Sequence, residues 1–252
     1  MRVGLIGAGN MAQALARGWG DPVLVSDTGS GRAQALAGEL GGEAVESNLE
    51  VAQGADLVVL CHKPAQLALV AREIAGEPKP IVSVLGGISL DALQEVYPGR
   101  PVFRTEPNTP VEVRRGVVAF SAAEGVPADL KREVIALFDR LGEVFVLPES
   151  LLGAAGAISG VGPAYQALLA EAQVDAGVRY GLKADLAGRL VAETMAGTAA
   201  LLAHRGYDTL AVRREVTSPG GSTARGLAAL ERAGVRAAFQ DAMDALYSGS
   251  AS

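Results

Sequence analysis

The stretch Val3-Gly4-Leu5-Ile6-Gly7-Ala8-Gly9-Asn10-Met11-Ala12 decides how the rest of the chain is read. An apolar run of strand type meets a turn of small residues, and helical spacing then carries on to Trp19. Gly7 permits a tight turn, and Gly9 lets the backbone come close to a pyrophosphate. Ala12 stands where a third glycine is usual and is still small enough for the helix to pack on the strand. Gly-x-Gly-x-x-Ala after a strand and opening a helix is a variant of the dinucleotide-binding fingerprint. It predicts NADPH or NADH as cofactor, held here by Ile6, Gly7, Ala8, Gly9, Asn10 and Met11.

The alternation then repeats. Pro22-Val23-Leu24-Val25-Ser26 reads as a second strand ending at Asp27. An acidic residue about 20 positions past the first glycine takes the adenosine ribose hydroxyls, which favours NADH. The following Thr28-Gly29-Ser30-Gly31-Arg32 offers hydroxyls and a guanidinium that could hold a 2′-phosphate, so both coenzymes stay open. A helix over 32–40 stops at Gly41-Gly42, a short strand covers 43–45, and Asn48 opens a helix through Ala52. Asp56-Leu57-Val58-Val59-Leu60-Cys61 is nearly continuous in apolar residues, as a central parallel strand should be, and ends at His62-Lys63-Pro64. Helices are predicted over 66–74, 90–96 and 128–141, and strands over 80–85 (ending at Gly86-Gly87), 102–105, 116–120 and 143–147. Pro107-Asn108-Thr109-Pro110 interrupts the pattern. The order argues an α/β fold, a Rossmann-like doubly wound sheet whose strand ends line the cofactor crevice.

After Pro148 the composition changes to Ala-rich helical pattern, roughly 151–158, 163–180, 184–204, 208–216, 223–232 and 235–247. The expected domains are therefore 1–148, dinucleotide-binding, and 149–252, all-helical. The long helices carry small and apolar residues on more than one face, which suits a bundle or an oligomer interface. The tail 248–252 is expected to be disordered.

With 252 residues, 49% of them hydrophobic and 20% charged, the chain can bury a substantial core. Its net charge of −6 comes without a basic run, so neither nucleic acid nor an anionic membrane surface is an expected partner. No apolar stretch reads as long enough to span a membrane, since glycines and charges interrupt each one. Cys61 is the one cysteine, which excludes an internal disulfide and suits a reducing compartment. The chain opens directly on a strand, leaving no room for a signal peptide, and a cytoplasmic location is expected.

One late loop carries chemistry: Val216-Thr217-Ser218-Pro219-Gly220-Gly221-Ser222-Thr223-Ala224-Arg225-Gly226. Pro219 and the glycine pair can turn successive N–H groups into one concavity, and Ser218, Ser222 and Thr223 add hydroxyls. Ser222 or Thr223 is expected to cap the helix that follows. A capped Ser-Pro-Gly-Gly turn with no ligand is the competing reading.

Val-Thr-Ser-Pro-Gly-Gly-x-Thr followed by a small residue, Gly and Leu resembles the signature of the pyrroline-5-carboxylate reductases. Other motifs of that family appear in order: the fingerprint at 7–12, Lys63-Pro64, Arg104 with Pro107-Asn108-Thr109-Pro110, and Ser159-Gly160-Val161-Gly162-Pro163-Ala164-Tyr165. Departures are Glu106 for a usual Met, Val161 for Ser, His62 for Val, Ser222 for Thr or Ala, and Gly153-Ala154-Ala155-Gly156 for Asp-Ala-Val-Thr. The resemblance implies reduction of 1-pyrroline-5-carboxylate to proline, with Thr223 at the ring nitrogen. It implies that Ser218, Gly220, Gly221 and Ser222 hold the substrate carboxylate and that Glu149 lies on the substrate side. It extends the cofactor contacts to Asp27, Asn48, Cys61, His62, Lys63, Pro64, Val84, Leu85 and Gly86. It also implies a homodimer or higher homo-oligomer through the helical domain, with the substrate loop completed by a partner chain.

Other readings compete. A related imine or 3-hydroxyacid dehydrogenase would want a lysine in the helix over 163–180, and that stretch has none. A non-catalytic nucleotide-sensing oligomer would be expected to lose Thr223 or the glycine pair, and both are present. His62 reads as a polar loop residue or a cofactor contact, and Lys63 as a strand-end charge or a crevice residue. Cys61 reads as a small core residue, Trp19 as packing, His204 as serving a helix end, and Arg213-Arg214 as a solvated face. No metal site is expected, because the two histidines lack suitably spaced partners.

Overall fold

The computed structural model describes residues 1–248, and the chain divides into two compact units, Met1–Pro163 and Ala164–Ser252. In the first, strands and helices alternate: β1 (Val3–Ile6), α1 (Asn10–Trp19), β2 (Leu24–Ser26), α2 (Arg32–Leu40), β3 (Glu43–Ala44), α3 (Asn48–Gly54), β4 (Leu57–Leu60), α4 (Leu67–Glu73), β5 (Ile81–Ser83) and α5 (Leu90–Val96). There follow β6 (Val102–Pro107), β7 (Gly116–Ala122), α6 (Ala128–Asp139), β8 (Gly142–Val146) and α7 (Glu149–Ser159). The eight strands form one sheet in the order β3-β2-β1-β4-β5-β6-β7-β8. Every neighbouring pair is parallel except β6 with β7.

The order reverses at β1, because the chain leaves β3 on one side and returns as β4 on the other. Ligands in open parallel sheets bind at such a switch point, outside the carboxyl ends of the strands. The register sharpens this. Ile6 pairs with Ser26 on one side and with Leu60 on the other, so β1, β2 and β4 end level and their loops start side by side.

Alternating side chains give the sheet two apolar faces. Leu5, Val25, Val59, Phe103 and Phe120 pack with α1, α2 and α6, while Ile6, Val58, Leu60 and Ile81 pack with α3, α4 and α5. Trp19 is buried in the first layer, as its packing role requires. Its indole N–H donates to the Leu137 carbonyl at 3.0 Å, and its ring meets Phe138 edge-on.

The predicted elements are found, with shifted ends. β6 runs past Thr105 to Pro107, because its antiparallel partner β7 keeps the ladder going as far as Pro107 opposite Val118. The interruption therefore comes at Asn108, ahead of a short 3-10 turn over Thr109–Val113. The first compact unit continues through α7, which packs on β6 and β7, whereas the composition changes at Pro148.

The second unit is helical: α8 (which begins in the first unit and spans Gly162–Arg179), α9 (Ala184–His204), α10 (Thr209–Glu215), α11 (Ser222–Arg232) and α12 (Val235–Ser248). Asp208 caps α10 by accepting from the Leu210 and Ala211 N–H groups. Burial here is sparse: α8 has no buried residue, and α9 buries Ala187 alone. One expectation needs correcting. Ala184–His204 is long and apolar enough to cross a membrane by length and composition, with mean hydropathy 1.2, since Asp185, Arg189 and Glu193 all fall in its first half. Apart from Ser248, the last residue of α12, the tail 248–252 lies outside the described residues.

Candidate active site

A crevice of about 780 Å³ opens at the switch point. Its floor is the turn after β1, where Gly7 takes φ +102 and a Cβ would lie 2.8 Å from the Cys61 carbonyl carbon. A side chain is thus excluded twice, by conformation and by space. Gly9 is different. An added Cβ would meet nothing within 4 Å, so its open side faces the crevice and a ligand can approach the backbone there. Gly9 also precedes α1 without any side-chain cap, which leaves the first-turn N–H groups turned toward that space. Gln13 braces the turn by donating from Nε2 to the Ala8 carbonyl at 2.9 Å.

Of the cofactor-side residues named from the sequence, the walls bring together Ile6, Gly7, Ala8, Gly9, Asp27, Asn48, Cys61, His62 and Lys63. Asn10, Met11, Pro64, Val84, Leu85 and Gly86 are not among the lining residues of this crevice. Asn10 and Met11 open α1 beside it, and Val84 follows β5, its N–H bonded to the Leu60 carbonyl at 3.2 Å. The remaining wall includes Ser26, Thr28, Ser30 and Arg32 at the β2 end, and Glu46, Gln66 and Glu73. Glu73 has no sequence signal: it enters the site from the far end of α4. There its Oε2 accepts from Asn48 Nδ2 at 2.5 Å, while Asn48 Oδ1 accepts from Ser26 Oγ at 2.6 Å.

His62 Nδ1 donates to the Lys63 carbonyl at 2.9 Å, and its Nε2 is buried without a protein partner. Burial holds the imidazole below its ordinary value, against the opposing pull of that carbonyl bond and of Glu73. The Cys61 thiol is pushed up to about 12 by burial, so it is an inert neutral group at neutral pH. Among the described residues, no three of His, Cys, Asp or Glu converge in a way that could hold a metal ion.

A second cluster lies at the carboxyl end of β6. Arg104 is nearly buried and is flanked by two carboxylates, Glu106 Oε1 at 2.8 Å and Glu149 Oε1 at 3.0 Å. Glu149 Oε1 also accepts from the Leu90 N–H at 2.6 Å. The expected substrate-side acid thus joins the starts of α5 and α7 to β6. Asn108 makes a comparable join between two of the sequence motifs. Its Nδ2 donates to the Ser159 carbonyl at 3.0 Å, and its Oδ1 accepts from the Val117 N–H at 2.8 Å.

In the helical unit, Gly220 takes φ +72 and the Gly221 N–H reaches back to the Ser218 carbonyl at 3.1 Å. The expected cap is corrected here. Gly221, not Ser222 or Thr223, is the N-cap of α11, and no side chain caps it. The tight turn leaves Gly221 little room, for a Cβ there would fall 2.5 Å from Ser218 Oγ. Ser222 and Thr223 are consequently first-turn residues, and the helix presents uncapped N–H groups. Arg225, to which the sequence assigned no role, ties the loop by donating from Nη1 to the Gly220 carbonyl at 2.7 Å.

Comparison with known proteins agrees with both halves. A family model described as pyrroline-5-carboxylate reductase dimerisation matches residues 149–252, and one described as NADP oxidoreductase coenzyme F420-dependent matches residues 2–87. The pyrroline-5-carboxylate reductase of Synechocystis is 35% identical, the match covering 98% of this chain and 96% of that one. Among solved structures, the Streptococcus pyogenes 1-pyrroline-5-carboxylate reductase aligns with TM-score 0.90 and 29% identity over 98% of this chain and 96% of that one. The Plasmodium falciparum pyrroline carboxylate reductase, solved with NADP bound, aligns with TM-score 0.87 and 28% identity over 99% and 97%. With the relatives matched over nearly their whole length and the strand-end crevice intact, the chain belongs to the pyrroline-5-carboxylate reductase family.

Proposed function

We propose that this chain reduces 1-pyrroline-5-carboxylate to L-proline, the last step of proline biosynthesis, using NADPH or NADH. The observation that carries the reading is the crevice at the switch point, in a chain that matches reductases of this name from end to end. Its residues fit a dinucleotide: the open side of Gly9 and the uncapped start of α1 can take a pyrophosphate, and Asp27 and Asn48 can take a ribose.

When bound, the reduced nicotinamide supplies a hydride to the C=N carbon. The protein's part is to hold the imine and see that its nitrogen is protonated. The Thr223 hydroxyl is assigned to the ring nitrogen, where it orients the substrate and assists proton delivery. The N–H groups around Gly220, Gly221 and Ser222, with Ser218 nearby, are assigned to the substrate carboxylate. The absence of any side-chain cap on α11 supports this for the first-turn N–H groups from Ser222 onward, whereas the Gly221 N–H already serves the Ser218 carbonyl. Glu149 is kept on the substrate side for its second carboxylate oxygen, since Oε1 is the atom shared by Arg104 and Leu90.

The helical half is assigned to a homodimer or higher homo-oligomer. Leu186 and Leu190 stand exposed one turn apart on α9, and α8 has no buried residue, which supports a partner covering those faces. The same covering accounts for the apolar length of α9 without a membrane. A reducing, cytoplasmic setting accords with the single cysteine.

The test is oxidation of NADH and NADPH on addition of pyrroline-5-carboxylate, for wild type and Thr223→Ala. Turnover by wild type with loss of kcat in the variant is expected. No turnover with either coenzyme would overturn the reading, and an unimpaired variant would move the nitrogen contact elsewhere.

A further inference from the structure

The β2 end of the crevice bears on which adenosine ribose it accepts. Two bonds fix the orientation of the Asn48 amide: a hydroxyl donor, Ser26, takes its oxygen, and a carboxylate, Glu73, takes its nitrogen. Asn48 is half-buried and lines the crevice, with one N–H and one lone pair left over. Such a pair reads a hydroxyl, which both donates and accepts. A phosphate monoester at neutral pH is chiefly an acceptor and carries between one and two negative charges.

Asp27 points the same way. Its carboxylate accepts the proton of Ser30 Oγ, so that hydroxyl is not available to donate to a phosphate. The second carboxylate oxygen can still accept from a ribose hydroxyl. Asp27, Glu46 and Glu73 all line the crevice, against Arg32 on the β2 side and Lys63 in the loop after β4. A 2′-phosphate would enter a field in which carboxylates outnumber cations.

We propose that Glu73 is a positioning residue that orients Asn48, and that the Ser26–Asn48–Glu73 relay, with Asp27, selects an adenosine ribose carrying a free 2′-hydroxyl: NADH over NADPH. The inference rests on the dinucleotide reading of the crevice but not on the imine chemistry.

The test measures binding of ADP-ribose and of 2′-phospho-ADP-ribose by calorimetry, so that no turnover is needed, on wild type, Glu73→Gln and Glu73→Ala. Wild type should prefer ADP-ribose by about tenfold or more. Glu73→Gln keeps an acceptor for Asn48 and removes the charge, so it should hold ADP-ribose affinity while narrowing the preference. Glu73→Ala frees the amide and should weaken ADP-ribose severalfold, with the Tm of the two variants alike. In the coenzyme assay the alanine variant should raise KM for NADH and leave kcat unchanged. A wild type that binds the 2′-phosphate form equally or better overturns the proposal. So does a Glu73→Ala variant with unchanged affinities. If neither compound binds, the dinucleotide reading falls with it; if ADP-ribose binds as expected but the imine is not reduced, the reductase reading alone fails.

Discussion

Glu106 fills the space that a side chain at position 156 would need. An ideal Cβ on Gly156 would lie 2.2 Å from Glu106 Oε2, while Glu106 Oε1 is held by Arg104 at 2.8 Å. The glycine and the acid are thus one feature: the bare helix surface of α7 admits the carboxylate that pairs with Arg104. Both positions are departures from the family motifs that the sequence resembles, Glu106 standing for Met and Gly156 for Thr.

That coupling predicts a reversal of sign. Glycine inside a helix ordinarily costs about 0.5–1 kcal/mol relative to alanine. In wild type, Gly156→Ala should nonetheless destabilise by about 1 kcal/mol or more, since Glu106 must leave the nearly buried Arg104 guanidinium to make room. In a Glu106→Ala background the same substitution should stabilise. Denaturant melts of the four proteins measure it, and equal effects in the two backgrounds would sever the link.

The two glycines of the fingerprint should fail differently. Gly7→Ala meets the Cys61 backbone and a positive φ, so it should cost about 1–3 kcal/mol of stability. Gly9→Val meets no protein atom at its Cβ, so Tm should hold while affinity for ADP-ribose falls at least tenfold. Thermal melts alongside calorimetry separate the two. A Gly9→Val protein that binds as tightly as wild type would contradict the placement of the pyrophosphate.

His62 makes stability depend on pH in a known direction. Burial lowers its folded-state affinity for a proton, so below its ordinary value of 6.5 the unfolded chain takes up a proton that the folded chain resists. Stability from this group is complete above that value and declines as pH falls through it toward the lower folded value. His62→Val should therefore flatten the fall in Tm between about pH 7.5 and 5.5. An identical slope in the variant would show that the imidazole ionises freely in the folded protein.

The Cys61 thiol, pushed up to about 12, should react with a thiol reagent far more slowly in the folded protein than after denaturation. Cys61 is half-buried and lines the crevice, so a bound dinucleotide should slow the labelling further. Rapid labelling of the native apo-protein would contradict this.

Exposed Leu190 on α9 offers a test of assembly. Leu190→Asp should shift the protein toward a smaller species in light scattering and make Tm fall with dilution. An unchanged mass would place the interface on another face.

The alternation of strands and helices, the turn at Gly7, and the loop at 218–223 were legible in the sequence by itself. They rest on local causes: the period of apolar residues, and glycines where a backbone must turn or stay bare. The cap of α11 was not legible: it falls on Gly221 rather than on Ser222 or Thr223, at a turn with little room for a side chain. What the tertiary structure decided was which distant side chains meet. Glu73 reaches Asn48 across 25 residues, Arg104 reaches Glu149 across 45, and Asn108 reaches Ser159 across 51. No periodicity encodes such meetings, because they depend on strand register and on how helices seat against the sheet. The level ends of β1, β2 and β4 turned separate motifs into one crevice, and the packing of α7 on β6 set Gly156 against Glu106.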